Sequence, residues 1–171
     1  MIKKTIILAI TITTLLSCNS ARHTVAGQND VYKGTWHYQS GNQLFIVSLW
    51  NEQSALKGHY KMVTVDDNGM QTGIVYNSNK LWGNTGQNWP FSVYCGFNAT
   101  TALGTINDNT VTGVPKGFIE GNIELTLQIG TPITMHWKVN RSEGIRFSEE
   151  PDFNIPTDIV LTKISSDVDL D

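Results

Sequence analysis

Two neighbouring segments between residues 117 and 140 alternate strictly between apolar and polar side chains, and this alternation limits the fold more than any other feature. Its apolar residues are Ile123, Leu125, Leu127 and Ile129 on the first segment and Ile133, Met135, Trp137 and Val139 on the second. A repeat of two predicts β-strands that each bury one face. The connection Gly130-Thr131-Pro132 predicts a hairpin in which Leu125 lies opposite Trp137 and Glu124 lies opposite Lys138.

The rest of the chain between residues 31 and 164 shows strands and turns and no helical period. Asp66-Asp67-Asn68-Gly69 favours a turn because Asn-Gly accepts positive φ without strain. About eight antiparallel strands in sequence order have to hide their edges. We therefore expect an all-β domain, a single antiparallel up-and-down β-barrel, with a β-sandwich as the alternative. The further strands are predicted at 31–39, 43–51, 56–65, 71–77, 91–98, 100–107 and 157–164.

The N-terminus has the arrangement of a secretory signal. Two lysines in residues 1–4 precede an apolar run of 12 residues, 5–16. A transmembrane helix needs about 20 residues, so the run is too short to span a bilayer. It ends in Leu15-Leu16-Ser17-Cys18, which resembles the lipobox of bacterial lipoproteins. The resemblance implies cleavage between Ser17 and Cys18 and lipid attachment to the Cys18 thiol, which anchors the protein stably when more than one acyl chain is added.

The lipobox also defines the expected organisation of the chain. Residues 1–17 are the signal peptide, 18–30 the lipidated cysteine and a flexible tether, 31–164 the barrel domain, and 165–171 an acidic flexible tail. In Gram-negative lipoproteins a residue other than Asp after the cysteine, here Asn19, favours the outer membrane. We expect the domain to face the periplasm, with the cell surface as the alternative.

Short motifs near the start of the domain resemble known barrel families. Gly34-Thr35-Trp36 is similar to the Gly-x-Trp that opens the first strand of lipocalins, fatty-acid-binding proteins and avidins. Ser40-Gly41-Asn42 and Leu56-x-Gly58-x-Tyr60 extend the avidin resemblance over about 27 residues. The resemblance implies a calycin-like barrel in which Trp36 plugs one end.

The avidin resemblance does not extend to the ligand-binding residues. Tyr38 stands where avidins have a ligand-binding Asn, and Thr105 follows Ala102-Leu103-Gly104 where avidins have Trp. Biotin binding is therefore not implied. Over its whole length the chain most resembles small uncharacterised bacterial lipoproteins of a domain-of-unknown-function family, which share the lipobox, the Gly-Thr-Trp strand and a closing segment such as 155–163.

The sequence lacks the patterns of catalytic and metal sites. His37 and His59 follow Trp36 and Gly58 on neighbouring strands, but without a nearby carboxylate we expect solvated histidines and no metal site. The Asp66–Gly69 turn resembles a calcium-loop fragment without its full spacing. No nucleophile elbow or phosphate loop is present. We expect no enzyme activity and no cofactor.

The net charge and the cysteine content of the chain argue against nucleic-acid binding and against an intrachain disulfide. After removal of the signal, 10 basic and 15 acidic residues remain, a net charge of −5. Nucleic-acid binding needs a concentrated basic surface, so no nucleic-acid partner is expected. With Cys18 lipidated, Cys95 has no partner for an intrachain disulfide, and its apolar context predicts a buried, inert thiol.

Aromatic residues are the remaining candidates for contact with a ligand or a partner. The Gly- and Asn-rich segment 78–90 carries Trp82 and Trp89. A connection of this length is uncommon in a compact domain unless it has a function. Because Trp89 leads directly into the next strand, we expect it to fold over one barrel end as a lid, with Trp82 as the better contact residue. Trp50 and Tyr60 complete the candidate set. The alternative is that these aromatic side chains fill the core of a small barrel.

Two functions remain open. The first is a membrane-anchored, non-catalytic binding or structural barrel whose ligand is a small apolar molecule or a sugar. The alternative is an inhibitor or immunity-type lipoprotein that presents loops to a protein partner. A large cavity would favour the first, and a filled barrel with Trp82 or Trp89 exposed would favour the second.

Overall fold

The computed structural model describes residues 30–98, 100–142 and 151–171. Within them helical backbone is confined to a turn at 30–32, and no helix has the length and apolarity to cross a membrane. The all-β prediction is confirmed. The predicted signal peptide, the predicted lipidation site Cys18 and the predicted tether up to residue 29 lie outside the described residues. The strands are β1 (Gly34–Ser40), β2 (Gln43–Glu52), β3 (Ala55–Val65), β4 (Gln71–Asn77), β5 (Val93–Asn98), β6 (Thr101–Asp108), β7 (Ile119–Gln128), β8 (Thr134–Arg141) and β9 (Asp158–Ser165).

Eight of these nine strands form a closed antiparallel barrel. They pair in the order β1-β2-β3-β5-β6-β7-β8-β9, and β9 pairs with β1 to complete the ring. Closure leaves no unpaired strand edge in the ring, which solves the edge problem of a sheet with this many strands. The predicted up-and-down barrel is confirmed, and the chain does not adopt the alternative sandwich.

The ninth strand, β4, shares one edge of β3 with β5. The second half of β3 pairs with β4, and a short segment near its start pairs with β5. Between the two pairings the Ser78 N–H donates to the Tyr60 carbonyl at 2.9 Å and the Ser92 N–H donates to the Gly58 carbonyl at 2.8 Å. The excursion 78–92 therefore begins and ends at neighbouring points of β3, on the outer wall of the barrel.

The β7–β8 hairpin has the predicted register. Its facing pairs include Leu125–Trp137, Leu127–Met135 and Glu124–Lys138. Leu125, Met135 and Trp137 are fully buried, and Leu127 packs against the core at partial exposure. The alternation also predicts that the Ile129 side chain faces the core. This prediction is wrong, because β7 ends at Gln128 and the Ile129 side chain is 74% exposed.

Large apolar side chains occupy the barrel interior. The ring centroid of Phe45 lies 5.6 Å from that of Trp137 and 5.8 Å from that of Tyr60, distances at which aromatic rings are in contact. The small interior of an eight-stranded barrel is suited to this kind of packing. The largest fully buried side chains are Tyr32, Trp36, Phe45, Leu49, Leu56, Tyr60, Ile106, Leu125, Met135, Trp137, Leu161 and Val47.

Trp36 and Tyr32 pack together in the hydrophobic core, beside the turn at 30–32 that precedes β1. The Trp36 indole is fully buried, and its N–H donates to the Tyr32 carbonyl at 2.9 Å. The Tyr32 hydroxyl donates to the Thr100 carbonyl at 2.7 Å, which ties the turn before β1 to the opposite wall. The Lys163 ammonium lies 5.4 Å from the centre of the Trp36 ring, within the range of a cation–π contact.

The acidic segment after β9 crosses the outer face of β1, β2 and β3. The sequence predicts a flexible tail at 165–171. In the structure, tail carbonyls accept hydrogen bonds from side chains of the barrel wall, and an aspartate pairs with a lysine. These long-range contacts carry no signature in the local composition of the tail, which is why the sequence predicted mobility.

Candidate functional site

The excursion 78–92 carries two of the predicted contact residues and is an ordered turn. The Thr85 N–H and hydroxyl both donate to the Trp82 carbonyl, at 3.2 and 2.7 Å. Gly83 and Gly86 have φ values of 54° and 70°, which glycine adopts at no steric cost. These bonds fix the position of Trp82 without burying it.

Trp82, Trp89 and Phe118 form an aromatic cluster on the outer wall. The Trp82 and Trp89 ring centroids are 5.3 Å apart, and Phe118 meets Trp89 edge-on at 5.6 Å. Trp82 is 52% exposed, and its neighbour Leu81 is also exposed. Large apolar side chains that are grouped and exposed are typical of interaction sites.

Trp89 does not form the predicted lid. Its N–H donates to the Lys80 carbonyl at 2.9 Å, and a bridge joins Leu81 to Asn88. The two arms of the turn are thus paired with each other, and Trp89 stays half-buried beside Trp82, outside the barrel. The proximity of Trp89 to β5 in sequence predicted an inward position, and the pairing of the arms prevents it.

The other two candidate contact residues are not part of the aromatic cluster. Trp50 lies on the outer face of β2 at partial exposure, where its N–H donates to Glu52 at 3.3 Å and its ring centroid is 5.6 Å from that of His59. Tyr60 points into the barrel and is buried. Its hydroxyl donates to Asp108 at 2.9 Å, so Tyr60 is unable to reach an external ligand.

His59 anchors both ends of the excursion. Its Nδ1 lies 3.2 Å from the Ser78 hydroxyl and 3.5 Å from the Ser92 hydroxyl. Burial lowers the pKa of His59 to about 4, although a hydrogen bond with the Trp89 backbone acts in the opposite direction. The prediction of a solvated histidine is wrong for His59, because the excursion covers it.

The geometry of the His59–Ser78 pair indicates a structural role. The Ser78 hydroxyl is fully buried and also accepts the Tyr60 N–H at 2.8 Å, so it has no open approach for a substrate. A nucleophile needs both an activating base and access to the reacting atom. Among the described residues no three His, Cys, Asp or Glu side chains are grouped to hold a metal ion.

A buried carboxylate at the second barrel end was missed by sequence reasoning. Asp108 is fully buried and accepts hydrogen bonds from the Tyr60 hydroxyl at 2.9 Å, the Thr110 hydroxyl at 2.6 Å and the Asn154 N–H at 2.7 Å. Burial, reinforced by Asp108, raises the pKa of Tyr60. The only sequence signal was the polar triplet Asn107-Asp108-Asn109 at the end of a strand, which indicated a turn.

Cys95 lies inside the barrel wall as the sequence predicted. Its thiol is free and buried, and burial raises its pKa to about 12. Because the thiolate is the reactive form of cysteine, this side chain stays protonated and unreactive at neutral pH.

Comparison with known proteins identifies the family and no activity. No curated protein and no solved structure matches the chain. A model of a family of unknown function, DUF6705, matches residues 1–164. This range includes every strand of the barrel except Ser165, the last residue of β9. This agrees with the resemblance to a domain-of-unknown-function family drawn from the sequence. The chain therefore belongs to the family of unknown function DUF6705.

Proposed function

We propose that this chain is a lipid-anchored, non-catalytic barrel that binds a protein partner through its aromatic cluster. The observation that carries the proposal is an interior occupied by large side chains together with an exposed Trp82. Binding of a small molecule inside a barrel needs a concave, largely preformed cavity. The interior positions are instead occupied by large side chains such as Phe45 and Trp137, so the remaining place for contact is the surface.

The aromatic cluster has the properties of an interaction hot spot. Tryptophan is enriched among the residues that dominate binding energy at protein interfaces. The cluster is held by hydrogen bonds within the turn and by His59 beneath it, so little conformational freedom is lost on binding. A rigid, half-exposed indole is therefore favourable for association with a partner.

The chemistry of the buried polar groups supports a non-catalytic role. Asp108 already accepts bonds from hydroxyl and amide donors, and His59 is bound by two serines and covered. General acid–base catalysis requires a group that reaches the proton of a bound substrate. Both side chains are buried and held in hydrogen bonds that stabilise the barrel and its loop.

The anchor is part of the same proposal. Lipidation of Cys18 would leave residues 19–30 as a tether between the membrane and the domain. Twelve extended residues reach at most about 40 Å, which keeps the aromatic cluster near the membrane surface. We place the protein at the outer membrane, facing the periplasm, in contact with the membrane through lipid and needing no cofactor.

A sugar is the second candidate ligand of the same cluster. Asn84, Gln87 and Asn88 are exposed beside Trp82, and amides both donate and accept hydrogen bonds. Sugar rings present C–H faces that stack on an indole and hydroxyl edges that pair with amides. This combination favours a sugar over a purely apolar small molecule.

Site-specific photo-crosslinking in living cells tests the proposal. A photoreactive amino acid placed at position 82 should give a discrete protein adduct, and the adduct should weaken at least fivefold when Trp89→Ala is added. Position 129, which is 74% exposed on another loop, is the matched control and should give no such adduct. Equal adducts at both positions, or none at 82, would contradict a protein partner. Binding of a glycan that Trp82→Ala abolishes would establish the sugar alternative.

A further inference from the structure

A second surface on the outer wall is built to hold an extended backbone. The Thr35 hydroxyl donates to the Asp167 carbonyl at 2.7 Å and accepts the Asp169 N–H at 3.2 Å. The Ser48 hydroxyl donates to the Asp169 carbonyl. Thr35 and Ser48 are both more than nine-tenths buried. These contacts are with main-chain atoms of the tail, so they recognise an extended strand independently of its side chains.

Charge selects what lies in this groove. The Lys61 ammonium is 3.0 Å from an Asp169 carboxylate oxygen and also donates to the main-chain oxygen of Asp171. Asn79 donates to the Leu170 carbonyl at 2.9 Å. Lys61 is 8% exposed, and a buried ammonium is costly without an opposite charge. The groove formed by Thr35, Ser48, Lys61 and Asn79 is therefore complementary to an acidic segment.

The tail fits this groove without the tight packing of a core element. A small pocket remains between tail and wall, lined by Ile46, Ser48, His59, Lys61 and Leu170 among others. The Leu170 side chain, the large apolar group of the last residues, is 43% exposed. Release of the tail would break the hydrogen bonds that Thr35, Ser48 and Asn79 make with its main chain, and water can replace them.

We propose that this groove is a docking site for an acidic, extended segment of a partner protein, and that the tail of the chain is its displaceable occupant. Recognition of an extended strand through its main chain, with one pocket or charge for specificity, is an established mode of peptide binding. The groove residues lie within the residues matched by the family model, whereas the tail after residue 164 lies beyond them. The proposal uses none of the aromatic cluster and stands independently of it.

A peptide competition measured on the full-length chain tests this assignment. The probe is a fluorescently labelled peptide with the sequence of residues 165–171, followed by fluorescence anisotropy. In the Asp169→Lys variant the tail meets Lys61 with a like charge and should leave the groove, so the peptide should bind at least tenfold more tightly than to the unaltered chain. Asp167→Lys is the matched control, because Asp167 contacts the groove through its carbonyl, and it should change the affinity less than threefold.

A second pair of variants links the binding to the groove. Adding Lys61→Met to Asp169→Lys should weaken peptide binding at least tenfold, and raising the salt concentration should weaken it in the Asp169→Lys chain. The proposal would be overturned if the peptide bound the unaltered and Asp169→Lys chains with equal affinity. It would also be overturned if adding Lys61→Met left the peptide affinity unchanged. If Asp169→Lys unfolds the barrel, the milder Asp169→Asn replaces it and should raise the affinity about threefold; no rise would equally overturn the proposal.

Discussion

The barrel interior and the excursion 78–92 each hold two tryptophans, and the structure uses them in opposite ways. Trp36 and Trp137 lie on strands and are fully buried, whereas Trp82 is 52% exposed and Trp89 is half-buried beside it. Position in a strand that alternates with period two fixes the first pair inside. Hydrogen bonds within a glycine-containing turn hold the second pair on the wall. The comparison separates the residues that stabilise the domain from those available for contact.

Truncation of an interior tryptophan should have the largest effect. Trp137→Ala removes a fully buried indole that contacts Phe45 and donates to the Pro156 carbonyl at 2.9 Å. Core Phe or Trp to Ala changes cost about 3–5 kcal/mol, and we expect a loss in that range in urea unfolding. A loss below about 1 kcal/mol would contradict a packed interior, because a cavity already present would make the indole dispensable.

The packing of the excursion 78–92 over His59 on β3 should be sensitive to pH. The folded-state pKa of His59 is about 4 and an unfolded histidine titrates near 6.5, so the unfolded chain binds this proton more readily. His59 therefore leaves the free energy of unfolding unchanged above about pH 7 and lowers it as the pH falls from about 6.5 to 4, by up to about 3 kcal/mol. Urea melts at several pH values measure this loss.

Two observations check the assignment of that pH dependence. His59→Gln keeps a hydrogen-bonding side chain and should flatten the stability profile between pH 6.5 and 4. The ring of His59 in the folded chain should titrate near pH 4 by NMR. A ring that titrates near 6.5, with an unchanged profile in the variant, would show that the excursion does not cover it.

The two tryptophans of the excursion should differ by a small amount. Trp89 contacts both Trp82 and Phe118, whereas Trp82 has its ring contact with Trp89. Aromatic pairs contribute about 0.5–1.5 kcal/mol each, so Trp89→Ala should cost about 1–3 kcal/mol and Trp82→Ala about 0.5–1.5 kcal/mol. Equal losses above about 3 kcal/mol in urea would show that both belong to the core and would remove the distinction between the regions.

Local patterns predicted the barrel wall well. The alternation around Leu125 and Trp137 was sufficient to give the register of the β7–β8 hairpin, because a slip by one residue would bury Glu124 and Lys138. Strand and turn patterns predicted the strands, including the one at 71–77, and edge avoidance predicted the closed barrel. The sequence did not show that β4 would lie outside the ring and share one edge of β3 with β5.

Contacts between distant segments were not predictable in the same way. Asp108 meets Asn154, 46 residues later, and Lys61 meets Asp169, 108 residues later. Neither pairing has a periodic signature, and a single sequence does not show which polar residues face each other. The burial of His59 was unpredictable for the same reason, because it depends on how the excursion folds back over β3.

The central claim is that the interior is packed and that the contact residues lie outside. Fluorine NMR of the 5-fluorotryptophan-labelled chain with a soluble paramagnetic agent tests it directly, since the five tryptophans report on interior and wall together. We expect the strongest broadening at Trp82, less at Trp89, and none at Trp36 and Trp137. Broadening of Trp36 and Trp137 as strong as that of Trp82 would reveal a solvent-filled interior and would contradict the account.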